Sequence, residues 1–326
     1  MLAIGALKLK SRFILAPLAG ISDLPFRMLN RSFGAELAFV EMINVRCLSF
    51  KSKKTKTMLL SEGEPRPLGV QILGCEPEYI EKGLAVINTY PFDLLDFNAA
   101  CPERKVVRRG EGASLLREPK KLQRLLKLVV KNSRLPVTVK IRSGWDWETV
   151  NAPEVARLCE DAGISALFIH GRTRMQLYTG GVDYAAIHKV KRAISVPVIA
   201  SGDVFSVQLA EKMFTETGCD GLVVARGCLG NPWLFRELDC HFNKKTSFRR
   251  PEPLEIRRVM LEHLESYISY YGERSAVVVF RKFFAWYTKG FRKVRSVREK
   301  ISRIKSEDQM KTVIGELFDG MSPEEA

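Results

Sequence analysis

Eight short apolar runs constrain this chain more than any other feature. They are Phe13 to Leu18, Leu37 to Val40, Leu68 to Ile72, Leu94 to Phe97, Val137 to Ile141, Ala166 to Ile169, Val198 to Ala200 and Leu222 to Ala225. Longer helical patterns lie between them, among them Pro119 to Val130, Pro153 to Asp161 and Val207 to Thr217. The runs do not alternate apolar with polar residues, which suits parallel strands buried on both faces. Eight strand–helix units within about 230 residues have the size of a (β/α)8 TIM barrel. A doubly wound open sheet is the alternative. It rarely needs eight successive units, and the Gly-x-Gly fingerprint of a dinucleotide fold is missing after the first run, which reads Ala16-Pro17-Leu18-Ala19-Gly20. The only Gly-x-Gly, Gly110-Glu111-Gly112, reads as a mobile turn.

Polar residues gather where these strands end. Gln71 lies in the third run, Asn98 and Cys101 follow the fourth, and Lys140 and Arg142 sit in and after the fifth. His170 and Arg172 follow the sixth, Ser201, Gly202 and Asp203 the seventh, and Arg226 and Gly227 the eighth. One such residue is noise; a rim of them at the carboxyl ends of barrel strands is where a site belongs. The glycine-bearing turns after strands seven and eight suit a phosphate held on backbone N–H groups. Lys140 inside a strand must face the barrel mouth or be a costly buried cation. A lone histidine is more simply a core residue, and His188, His241 and His263 are read so. Cys101, taken alone, is a small buried filler, since free cysteine is among the most buried residue types.

After Trp233 the alternation stops. Arg249 to Pro253 reads as a linker, and the pattern is helical from Leu254. The expected division is residues 1–240 as the barrel and 241–326 as a smaller all-α domain. Between Arg281 and Lys305 ten Lys or Arg stand against one acid, Glu299, while Tyr287, Phe291, Val294, Ile301 and Ile304 keep an apolar stripe. Arg104, Lys105, Arg108 and Arg109 form a second basic cluster just past Cys101. With a net charge of +15, the two clusters suit a long folded polyanion better than a small anion. Seven scattered cysteines without a Cys-x-x-Cys are neither a disulfide framework nor a zinc or iron–sulfur ligand set, so no metal is expected and a reducing, cytoplasmic setting fits. No apolar run approaches the ~20 residues that span a bilayer, and Met1 to Lys10 has no signal core.

Six segments in order carry a resemblance to a known family. They are Ala16 to Asp23, Asn98 to Pro102, Val139 to Trp145, Ile169 to Thr173, Ser201 to Asp203 and Ala225 to Gly227, and Phe284 to Tyr287 extends the likeness into the helical part. The chain resembles the tRNA-dihydrouridine synthases, flavoenzymes that reduce uridine in tRNA, and looks closest to their bacterial B-type branch. The resemblance implies FMN in the barrel mouth and NADPH or NADH as reductant. It places Pro17, Leu18, Ala19 and Gln71 against the isoalloxazine ring and Lys140 and His170 near its N1–O2 edge. Ser201, Gly202, Asp203, Ala225 and Arg226 would hold the phosphate. Cys101 would be the proton donor, and Asn98, Arg142 and Arg172 would contact the substrate. The expected partner is tRNA, bound by a monomer that has no membrane attachment. The family usually has glycine at Ala100, which matters if that residue needs a positive φ.

Three other readings compete. A strand lysine in a barrel mouth also permits Schiff-base chemistry at Lys140. A flavin barrel could act on ribosomal RNA or on a small pyrimidine, which leaves the basic helical part unexplained if the substrate is small. A non-catalytic RNA-binding protein would leave the polar rim unexplained.

Overall fold

The computed structural model describes residues 1–50, 52–61, 63–291 and 294–319. The chain divides into two units, one of residues 1–27 and 35–226, the other of residues 28–34 with everything from Gly227 on.

In the first unit, strands β1 (Leu2–Ile4) and β2 (Leu7–Leu9) form an antiparallel hairpin. The barrel strands follow: β3 (Phe13–Leu15), β4 (Ala38–Phe39), β6 (Leu68–Leu73), β7 (Leu94–Asn98), β8 (Val137–Arg142), β9 (Ala166–His170), β10 (Val198–Ser201) and β11 (Gly221–Val224). A short β5 (Ile43–Asn44) also pairs with β6. The order across the sheet is β3-β11-β10-β9-β8-β7-β6-β4, all parallel. A parallel bridge from Ile14 to Leu37 joins the two ends, with the Leu15 N–H donating to the Leu37 carbonyl at 2.9 Å. All eight expected strands are therefore present, and the sheet closes as a (β/α)8 barrel.

Helices α1 (Leu24–Ser32), α2 (Val45–Ser49), α3 (Lys53–Met58), α4 (Pro77–Ile87), α5 (Arg104–Val107), α6 (Pro119–Asn132), α7 (Ala152–Glu160), α8 (Tyr184–Ala193) and α9 (Val207–Thr217) alternate with the strands. In α6, Leu122, Leu125, Leu126 and Val129 are buried at helical spacing while the lysines and Arg124 face outward, and Pro119 opens the helix where its missing N–H costs nothing. Helix α9 is capped by the Ser206 hydroxyl, which accepts the Leu209 N–H, and it ends on Gly218 at φ 67°. Inside the barrel Phe39 and Phe168 meet edge to face at 6.0 Å. Gly69 makes room for them, since a Cβ there would stand 2.4 Å from the Phe39 ring.

The second unit contains α10 (Leu234–Asp239), α11 (Pro253–Tyr271), α12 (Glu273–Tyr287), α13 (Val294–Ile301) and α14 (Glu307–Phe318). Its core is aromatic. His263 is buried among Tyr267, Phe280, Phe283 and Tyr287, with Nδ1 3.1 Å from the Tyr287 hydroxyl, and burial pulls its pKa down to about 3. It is a neutral core histidine, as expected. His188 and His241 are instead exposed.

Candidate active site

Strand register stacks the polar side chains in layers. Gln71 on β6, Asp96 on β7 and Thr138 on β8 are in register with one another. Asn98 pairs with Lys140 two residues further along, and Arg142, His170 and Ser201 share the next level. Positions i and i+2 of a strand share a face. Asp96 and Asn98 therefore point the same way, as do Thr138, Lys140 and Arg142. Gln71, Asp96 and Lys140 line a small central cavity with Ile14, Ala16, Pro17, Phe39, Phe168 and Val223.

Asn98 is built into the loop it precedes. Its Oδ1 accepts the backbone N–H groups of Ala100 at 3.0 Å and Cys101 at 2.8 Å, while its Nδ2 donates to Gln71 Oε1 at 2.8 Å. Cys101 is half-buried, and burial, aided by the Glu103 and Glu111 carboxylates, outweighs a hydrogen bond from the Glu103 backbone and raises its thiol pKa. The Ala113 N–H donates to the Cys101 carbonyl at 3.0 Å, and a Cβ on Gly112 (φ 60°) would lie 2.7 Å from that oxygen. Gly110-Glu111-Gly112 is thus a packed turn rather than a mobile one. The buried Glu111 carboxylate fixes it by accepting from Asn44 and Arg109. Ala100 carries no backbone strain: among the described residues the non-glycine positions with positive φ are Leu177, Asp203 and Lys245.

Lys140 is half-buried, and its Nζ donates to Ser201 Oγ at 3.0 Å. Burial pulls its pKa down to about 8, against the pull of Asp96. His170 is also buried and is held well below the ordinary histidine range, first by burial and then by Arg142, Lys140, Arg172 and Arg226. The imidazole is neutral, chiefly because it is buried, and the four neighbouring cations add to that.

Both arginines expected to meet substrate are committed largely to the protein. Arg142 is 2% exposed; its Nε donates to the Ala100 carbonyl at 2.9 Å and its Nη1 to the carbonyls of Thr173 and Leu177. Arg172, also 2% exposed, donates to the Thr179 and Gly180 carbonyls and to the Asp203 carboxylate. Both are loop braces, because a planar fork satisfies several carbonyls at once. Asp203, at φ 52°, also accepts from the half-exposed Arg226 at 2.9 Å. The exposed Tyr178 ring lies between Arg142 and Arg226, at 5.5 and 4.9 Å. Pro17, Leu18 and Ala19 form a turn in which the Ser22 hydroxyl donates to the Leu18 carbonyl and accepts the Leu18 N–H; Ala225 is half-buried just past β11.

Asp96 and Thr138 were not expected as site residues. A carboxylate in the middle of an apolar strand, Leu94-Leu95-Asp96-Phe97, was the available signal. In the second unit, Lys300, Arg303 and Lys305 are exposed, and Arg298 donates to the Thr288 carbonyl at 2.8 Å. Arg292 and Lys293 of the same basic stretch lie outside the described residues, as does the side chain of Arg295. Among the described residues no helix is long and apolar enough to cross a membrane, and no group of three or more His, Cys, Asp or Glu could hold a metal ion.

A closed parallel barrel with a cation-rich mouth and a braced loop thiol defines a barrel enzyme with its site at the strands' carboxyl ends. The family model for dihydrouridine synthase (Dus) matches residues 14–319, and the chain belongs to that family. It is 37% identical over 316 residues to the tRNA-dihydrouridine synthase B of Pseudomonas aeruginosa, covering 97% of this chain and 95% of that one. It is 38% identical over 287 residues to the protein of the same name from Pasteurella multocida, covering 88% and 86%. Among solved structures it resembles 6-hydroxypseudooxynicotine amine oxidase of Pseudomonas geniculata N1 in fold, with a TM-score of 0.58 at 14% identity over 81% of this chain and 52% of that one.

Proposed function

We propose that this chain reduces the C5=C6 bond of uridines in tRNA, with FMN in the barrel mouth and NADPH or NADH as reductant, acting as a monomer in the cytoplasm. The observation that carries the reading is the half-buried, protonated Cys101 thiol, its loop seated by Asn98 and Arg142, on a rim that also carries a neutral His170 and the half-buried Lys140.

The residues suit an anionic flavin. Lys140, Arg142, Arg172 and Arg226 all act against charging His170, so the mouth favours negative charge. Gln71 and Ser201 supply buried polar groups there and Lys140 a half-buried one, and Pro17, Leu18 and Ala19 offer a turn along one side. Gly202, Asp203, Ala225 and Arg226 follow β10 and β11, where barrels commonly hold phosphate. When bound, FMN supplies hydride transfer to C6 of the uracil.

Cys101 holds the proton for C5. A thiol with a raised pKa stays protonated at neutral pH, which a general acid needs and a nucleophilic thiolate does not. Asn98 fixes the loop with its Oδ1, while its Nδ2 donates to Gln71 Oε1 and Met42 Sδ, so its contact with the uracil would come from exchanging one of those bonds. Lys140 places positive charge where the reduced cofactor gains negative charge. Residues 241–326 supply the tRNA-holding part, with Lys300, Arg303 and Lys305 among its exposed cations. The target base must leave the stack to reach the mouth, where the exposed Tyr178 ring offers a stacking face.

The test is an absorbance spectrum of the purified protein, before and after anaerobic addition of NADPH, followed by mass analysis of dihydrouridine in treated tRNA. Flavin bands that bleach and new dihydrouridine are expected. A colourless protein that takes up no FMN would overturn the reading.

A further inference from the structure

We infer that Asp96 is a positioning residue: through Gln71 and Asn98 it sets the backbone of the loop that carries Cys101. The inference takes the proton-donor role of Cys101 from the proposed function, but its geometry stands independently.

Asp96 is 2% exposed in the middle of β7. Its Oδ1 accepts from Thr138 Oγ1 at 2.7 Å, and its Oδ2 accepts from Gln71 Nε2 at 2.7 Å. An ionised carboxylate accepts only, so Gln71 must turn its NH2 group toward it. Gln71 Oε1 then faces Asn98 and accepts from its Nδ2 at 2.8 Å. That leaves Asn98 Oδ1 on the opposite side, where it accepts the N–H groups of Ala100 and Cys101. Flipping either amide would set donor against donor or acceptor against acceptor in a buried layer. The polarity of the whole chain of bonds is therefore imposed at one end, by the carboxylate, and read at the other, by the Cys101 backbone.

Asparagine can take over this role and leucine cannot. In Asp96→Asn, Oδ1 would still accept from Gln71, while Nδ2 would donate to Thr138 Oγ1, which can accept. A protonated Asp96 would behave in the same way. Asp96→Leu keeps the size but releases Gln71.

Two readouts test the inference. The first is the alkylation rate of Cys101 by iodoacetamide in the purified protein without tRNA, followed by peptide mass analysis. Exposed Cys47 on α2 is the internal control. Asp96→Leu should change the Cys101 rate about tenfold, the scale of one lost buried hydrogen bond, while Asp96→Asn stays near parental and Cys47 stays constant throughout. The second is steady-state reduction of tRNA, where Asp96→Leu should lower kcat about tenfold or more with little change in KM, and Asp96→Asn should restore most of it. If Asp96→Leu does not fold, Thr138→Val replaces it, removing one hold on the carboxylate and shifting the Cys101 rate about threefold. A Cys101 rate unchanged in Asp96→Leu, or in Thr138→Val in its place, would overturn the inference. An Asp96→Asn variant as impaired as Asp96→Leu would also overturn it, because Asp96 would then be acting by charge. If parental enzyme forms no dihydrouridine, the proposed function fails while the alkylation readout still decides the role of Asp96.

Discussion

The carboxamide oxygen of Asn98 accepts the backbone N–H of Cys101 at 2.8 Å, so the residue at the end of β7 seats the thiol three positions on. The same oxygen takes the Ala100 N–H, and Arg142 takes the Ala100 carbonyl. Removing the carboxamide in Asn98→Ala leaves one buried and one part-buried N–H without that acceptor, at up to about 1–3 kcal/mol each. Dihydrouridine formation should fall about a hundredfold while the flavin spectrum is retained, since one misplaced catalytic group can cost that much. A rate within twofold of parental would show that the loop holds itself.

Cys101→Ala should stay yellow and keep oxidising NADPH, yet lose uridine reduction. The pH dependence follows from the protonated thiol being the active form. Because burial raises its pKa, the rate with tRNA should hold level through neutral pH and fall only above the ordinary thiol value of about 8.5. A rate that instead rises with pH through that range would point to a thiolate nucleophile. Parental tRNA reduction by Cys101→Ala would remove the proton-donor role altogether.

Arg142→Lys should behave as a severe change despite the kept charge. One ammonium cannot reproduce a fork that holds the carbonyls of Ala100, Thr173 and Leu177 at once. A loss on the order of 2 kcal/mol in unfolding free energy is expected, with a larger loss of activity than of flavin binding. Denaturant melts beside flavin titrations check this, and equal losses in both would place Arg142 at the cofactor instead.

Lys140→Met should make the flavin-free protein more stable and the flavin bind less tightly. Burial holds the Lys140 pKa at about 8, below the ordinary value of about 10.4. Between those two values the folded protein binds fewer protons than the unfolded chain, so stability rises with pH across that window. Below it the penalty for a buried charged amine is fully present. Part of the relief is offset because Asp96 loses its counter-charge, which leaves a gain on the order of 1 kcal/mol near pH 7. The difference between variant and parent should shrink from pH 8 to pH 10. Melting curves of the flavin-free forms decide the matter, and a destabilised variant would mean that the attraction of Asp96 outweighs desolvation.

The barrel was legible because its strands are buried on both faces and so appear as unbroken apolar runs. Val137 to Ile141 needed no partner to be recognised. The β1–β2 hairpin was not legible, since three-residue strands leave no pattern. Strand ends also marked the candidate site, but not what each side chain touches there. Arg142 and Arg172 stood where substrate contacts belong, yet their acceptors are main-chain carbonyls and, for Arg172, the Asp203 carboxylate, on loops that fold back only in three dimensions. Asp96 was visible as a carboxylate in a strand. Its meaning depends on Gln71, 25 residues before it, and Thr138, 42 residues after it, which only the register brings alongside. Asp203 is similar, because one residue cannot show that it will bridge Arg172 and Arg226.

The helical unit offers a test of the polyanion expected from the charge. Lys300, Arg303 and Lys305 are exposed, and Lys300 and Arg303 line a groove with Ile304, Asp308 and Thr312. Neutralising all three to Gln removes positive charge without opposing the fold, because none of them is buried. Every tRNA phosphate deprived of its cation should flatten the log Kd against log salt slope by about 0.9 or somewhat less, for a total of about 1–3, and weaken tRNA binding most at low salt. Flavin content and NADPH oxidation should not change, since the substitutions lie outside the barrel unit. Filter binding of tRNA across a salt series measures the slope. An unaltered slope with unaltered affinity would move tRNA recognition away from this face, leaving the exposed Arg104, Lys105 and Arg108 beside Cys101 as the cations to vary next.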